Sequence, residues 1–223
     1  MKILDLITIC LLLIPGFSMG QSDFEKKAPG LTCDCINKAP DKRPVTEKIF
    51  LDCLQKVFAS DSAEISAELL KTYGDMSDEH AHEFGERLSY DIMVDMVKTC
   101  DIFFLYMDSF RRSQFEITNR DSLNNVVTEL EKTPETMRNI RFHKTLITDY
   151  LFLKQYDKAL LEIDKVKSLT PDDPALIIYK AHIKYFQGKY DEAISLYQQA
   201  VDISGSGPIR VLIEVVRREQ AMH

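Results

Sequence analysis

Chemistry in this chain would have to come from its cysteines, histidines and carboxylates. Of five cysteines, Cys10 sits inside an apolar run near the start, which leaves Cys33, Cys35, Cys53 and Cys100 for the folded part. An even number of cysteines in an exported chain predicts two disulfides. Four thiols allow three pairings, and a bridge between Cys33 and Cys35 would close a very small, strained ring. One of these two is therefore expected to reach Cys53 and the other Cys100. The competing use is zinc. Zinc sites place two to four residues between paired cysteines, and the chain has a pair only at Cys33 and Cys35, so disulfides are favoured. With each cysteine given a structural role, none is expected to act as a nucleophile.

The histidines offer little more. His80 and His82 are two apart and diverge by about 200° on a helix, the wrong spacing for shared metal ligation. Glu79 and Glu83 flank them, and the segment reads as a solvated helix start. Eight glycines assemble no phosphate cradle, and no Gly-x-Ser-x-Gly elbow is present. A net charge of −7 gives the chain no electrostatic reason to gather on nucleic acid. No cofactor, metal site or enzymatic activity is expected.

Residues 1–20 have the pattern of a cleaved leader. Lys2 supplies the charge, Ile3 to Ile14 is apolar apart from Asp5 and Thr8, and Ser18 and Gly20 are the small residues before a cut ahead of Gln21. The alternative is a membrane anchor, but the run falls short of the ~20 residues a span needs. A periplasmic or secreted location follows, with no transmembrane segment in the mature chain. Residues 21–44 are expected to be an irregular lead-in, because Pro29, Gly30, Pro40 and Pro44 interrupt helices. Thr46 then caps a helix to about Ala59, with Ile49, Phe50, Cys53, Leu54 and Val57 on one face. Ser62 to Tyr73 forms another, ended by Gly74. Ser77 opens a long helix to about Phe115, its core face running Phe84, Leu88, Ile92, Met96 and Cys100. Residues 45–115 make up a small helical domain, which the disulfides should staple.

From about Ile140 the sequence repeats at a spacing of 34 residues. Tyr156 recurs as Tyr190, Asp157 as Asp191, Ala159 as Ala193, Leu160 as Ile194, Val166 as Ala200 and Pro174 as Pro208. This resembles the tetratricopeptide repeat, a 34-residue helical hairpin. In that family a small residue lets the paired helices approach closely, the place held here by Ala159 and Ala193. An aromatic opens the second helix, matched by Tyr156 and Tyr190, and Pro171 ends the first unit. Gly205 stands at the end of the second. The first helices depart more: Ile147 holds a place where the next unit has Ala181, and Lys184 one where the first has Tyr150. The resemblance covers residues 140–207. The implied units are 140–173 and 174–207 within an array from 120 to 223.

The resemblance implies a groove for an extended peptide along the first helices. Its lining would be Arg141, Lys144, Thr148 and Phe152 from the first unit, and Ile178, His182, Tyr185 and Phe186 from the second. The family's clamp for a C-terminal carboxylate has Asn where Thr148 stands, so that clamp is not expected. Two hairpins leave apolar ends to cover. A helix over Asp121–Lys132 suits one end, and Ile209, Leu212, Ile213 and Val216, widened by Val211 and Val215, suit a cap at 208–222. Arg210, Glu214, Arg217 and Arg218 would take its wet side. That stripe is also broad enough for a homodimer through residues 209–222, as in a structural subunit of an envelope assembly.

The order Cys-x-Cys, helix with Cys53, long helix with Cys100 also looks like small exported helical proteins of Bacteroidota, over residues 31–110, and this adds weight to the compartment and the disulfides. The expected protein is all-α, with a disulfide-tied N-terminal domain, a short hairpin array and a capping helix. It is expected to bind a protein or peptide partner and to catalyse nothing.

Overall fold

The computed structural model describes residues 22–39, 45–171 and 173–223, and every regular element among them is helical. The leader, Cys10 and the cleavage point lie outside the described residues. The α-helices are α1 (Asp23–Lys38), α2 (Glu47–Ser60), α3 (Ser62–Tyr73), α4 (Asp78–Thr99), α5 (Asp101–Ser113), α6 (Arg120–Glu131), α7 (Ile140–Phe152), α8 (Tyr156–Leu169), α9 (Pro174–Phe186), α10 (Tyr190–Ser204) and α11 (Gly207–Gln220).

Helix α1 corrects the expectation of an irregular lead-in. Ser22 and Glu25 form a reciprocal capping box, and Phe24, Ala28, Thr32 and Ile36 recur every fourth residue on a buried face. Pro29 lies inside the helix and is itself buried. A proline there costs about 3 kcal/mol, so α1 depends on tertiary ties. It has two of them, Cys33–Cys100 and Cys35–Cys53. Cysteines two apart on a helix point in widely different directions. One sulfur therefore reaches the end of α4 and the other reaches α2.

The single long helix expected from Ser77 to Phe115 is in fact two. Cys100 leaves helical geometry (φ −118°, ψ 103°), its N–H still donating to Met96 and its carbonyl accepting from Phe104 N–H. The apolar period carries on through this break, which is why the sequence pattern conceals it. Ser77 caps α4, Thr46 caps α2 and Gly74 closes α3 in the left-handed conformation, as expected.

Helices α7–α8 and α9–α10 are two hairpins whose turns repeat bond for bond at the 34-residue offset. Gln155 N–H donates to Tyr150 O at 2.8 Å, and Lys189 N–H to Lys184 O at 2.9 Å. Lys154 (φ 59°) and Gly188 (φ 72°) occupy the same left-handed position. A lysine there bears a cost of about 1 kcal/mol that glycine avoids. Ala159 and Ala193 are fully buried at matching places in successive cores.

Helix α11 joins the two halves. Ile209, Ile213 and Val216 pack with Ala193, Tyr197 and Ala200 of α10, which is the expected cap. Val211 and Val215 complete a different core, that of α1 to α5. Gly207 makes this approach possible, since a Cβ there would lie 2.1 Å from the Tyr90 ring. The apolar breadth that suggested a homodimer through 209–222 is thus used within one chain. Arg218 does not face water as expected, and Arg210, though over a third exposed, is tied to the other half. Arg210 pairs with Asp91 at 2.6 Å; Arg218 donates to the Val97 carbonyl at 2.7 Å, pairs with Asp101 and lies over the Phe104 ring.

Candidate functional site

The eight residues expected to line one groove fall into two settings. Around Phe152, His182 and Phe186 the space is filled by Phe115, from the segment between α5 and α6. Its ring lies 6.0 Å from Phe152, 5.1 Å from His182 and 4.8 Å from Phe186, centroid to centroid, with Tyr156 stacked beyond Phe186. Tyr185 is taken up beside them. Its hydroxyl donates to Glu219 at 2.8 Å, and the Arg111 guanidinium lies 4.2 Å over its ring. Burial pushes the Tyr185 phenol up to about 12, so it stays a donor across the ordinary pH range. Ile178 packs against the core that α9 and α10 share with α11. The N-terminal unit thereby closes this end of the array's inner surface.

Arg141, Lys144 and Thr148 lie apart from these, in an open cleft of about 580 Å³ shared with Ile140, Thr145, Asp149 and Tyr179. Lys144 is paired with Asp173 at 2.5 Å, the residue whose side chain also caps α9. Thr145 and Thr148 donate back to carbonyls of their own helix, which leaves their oxygens free to accept. Arg141 is exposed and makes no ion pair among the described residues. The cleft thus presents a few polar and charged groups on a mainly apolar lining, with one aromatic wall.

Several contributors were not foreseen. The apolar pattern ends a helix at Phe115, whereas the residue lies beyond α5 and turns onto the array; an aromatic between Gln114 and Glu116 is its only sequence signal. Arg111 and Glu219 are 108 residues apart, and no local pattern links them. Asp149 and Tyr179 flank residues that were singled out, but the assumed inner face of α7 and α9 did not include them.

The histidines are dispersed. His80 Nδ1 lies 2.7 Å from Asp75, while His82 borders a separate apolar cleft between α2 and α4. His143 is buried against Glu162, Nδ1 to Oε2 2.6 Å. Among the described residues no three histidine, cysteine, aspartate or glutamate side chains are grouped so as to hold a metal ion.

His182 is the most perturbed of the histidines with a resolved shift. Burial, reinforced by the nearby Arg111 charge, lowers it to about 4. The Tyr197 hydroxyl lies 2.6 Å from its Nδ1. Burial holds that phenol protonated, so it donates to a neutral imidazole. A base whose folded pKa is depressed contributes stability above its unfolded value, and loses it as pH falls toward the folded one. Chemical denaturation should therefore show about 2 kcal/mol lost between pH 6.5 and 5. His182→Asn should flatten that window, and an unchanged slope would rule the histidine out as its source. His80, raised by its hydrogen bond to Asp75, works with the opposite sign on the exposed surface, where solvent screens it.

No described helix is long and apolar enough to cross a membrane. Compared with family models, with curated proteins and with solved structures, the chain matches none of them.

Proposed function

We propose that this chain is an exported protein-interaction module of tetratricopeptide type, binding a peptide segment of a partner and performing no chemistry itself. The observation that carries this reading is the open cleft on α7 and α9. It lies on the first helices of two hairpins whose turns repeat at 34 residues, the surface on which such arrays hold extended chains. The array's other end is already occupied by the chain's own N-terminal unit, so the site left for a partner is short. The two disulfides are compatible with a chain that folds in an oxidising compartment, and the leader-like residues 1–20 add to that reading.

Panning a random peptide library on the oxidised protein tests the proposal. Thr148→Trp, which places a large ring in the cleft, serves as the comparison. Enrichment of a sequence class that the tryptophan variant no longer selects is the expected result. Equal selections on both proteins, or no enrichment on either, would remove the cleft as a binding surface.

A further inference from the structure

Among the described residues, the carboxylates withdrawn from solvent have hydrogen-bond or ion-pair partners, with one exception. The deepest show the rule. Glu162 meets His143 and Lys165, and Glu219 meets Arg111 and Arg112. Asp149 is half-buried in the open cleft and has no such partner among the described residues. Consistent with this, burial raises its carboxyl above the ordinary aspartate range and no cation offsets the shift. Shielding a carboxylate without a partner costs stability. Its position in a cleft makes it a place prepared for a cation brought from outside.

The other charges in the cleft narrow the choice. Lys144 is neutralised by Asp173, so it neither serves Asp149 nor attracts an anion strongly. Arg141 remains free to attract one. Arg141 and Asp149 are two turns apart on α7, about 12 Å along the axis. An extended chain covers that distance in three or four residues at about 3.3 Å each. The Tyr179 ring borders the same cleft. A guanidinium can both pair with a carboxylate through its planar fork and stack on an aromatic face, which an ammonium does less well.

The geometry points to a partner segment that is an extended peptide carrying an arginine for Asp149 and Tyr179, with an acidic side chain three or four positions away for Arg141. This rests on the cleft being a peptide site, and it adds the chemistry the site selects.

The probes are fluorescein-labelled octapeptides of alanine and glycine. Each carries one arginine and one glutamate three or four apart, in either order, and matched controls replace each charge by glutamine. Fluorescence anisotropy with the oxidised protein should show binding of at least one spacing and order, and a loss of about tenfold or more for the control lacking arginine. Asp149→Asn should produce the same loss while melting at the same or a higher temperature, because it relieves an unpaired charge. Asp149→Arg should prefer peptides in which glutamate replaces the arginine. Equal affinity for arginine and glutamine peptides would overturn the proposal, as would an Asp149→Asn variant that melts lower. If library panning enriches cleft-dependent peptides but no octapeptide binds, the charge pattern falls and the peptide site stands. If panning enriches nothing, both fall.

Discussion

Replacing Glu219 by alanine should destabilise the folded chain by about 3 kcal/mol, read as an earlier denaturation midpoint. Glu219 is 3% exposed and sits where the two halves meet. It accepts from Arg111 at 2.9 Å, from Arg112 at 2.8 Å and from the Tyr185 hydroxyl at 2.8 Å. Arg111 is itself 8% exposed, and its Nε has no hydrogen-bond partner among the described residues. Removing the glutamate leaves that guanidinium buried with Asp108 as its remaining carboxylate, which moderates the loss without abolishing it. The penalty should come from the stranded charge and not from lost attraction. A double variant, Arg111→Met with Glu219→Leu, should recover most of the stability, because well-packed apolar groups often replace a buried pair at little cost. If the double variant is as unstable as the single, the network stabilises by attraction instead. A Glu219→Ala midpoint equal to the parent's would remove the clamp from the account altogether.

Serine in place of both Cys33 and Cys100 should cost about 4 kcal/mol, from the loop entropy of a bridge spanning 67 residues. The Cys35–Cys53 bridge, spanning 18, should be worth about 3 kcal/mol on the same basis. The shorter loop lies inside the longer one, so the two losses should not simply add. The local consequence separates this bridge from a general stabiliser. Helix α1 carries Pro29 in its interior and is held onto α4 by Cys33. With that bridge gone, α1 should open before the rest, and limited proteolysis should cut first in residues 22–39. Cleavage starting in the hairpins, or a variant as stable as the parent, would contradict this role.

The cysteine count predicted two bridges, and the positions of Cys53 and Cys100 on apolar stripes pointed them inward. Which sulfur met which was open, because sequence spacing carries no information on the direction in which an unrecognised helix faces. That helix is hidden in the sequence because proline and glycine at 29 and 30 read as breakers. Propensity is a local cost, and burial of Phe24, Ala28 and Ile36 with two cross-links outweighs it. The break at Cys100 was hidden for a related reason: a single extended residue shifts direction while leaving the apolar period readable.

For the candidate site the division is sharper. The 34-residue recurrence marked the two hairpins, their buried alanines and the first helices that carry Arg141, Lys144 and Thr148. It did so because close helix packing requires particular side-chain sizes at fixed intervals, and such requirements are written locally. Tertiary structure alone decided that Phe115 fills the aromatic end and that α11 turns its second apolar edge to α4. It alone left Asp149 shielded with no cation beside it among the described residues. Those outcomes depend on which distant surfaces meet, through pairs such as Arg111 and Glu219 that stand 108 residues apart. Neither residue of such a pair bears a mark of the other until the chain has folded.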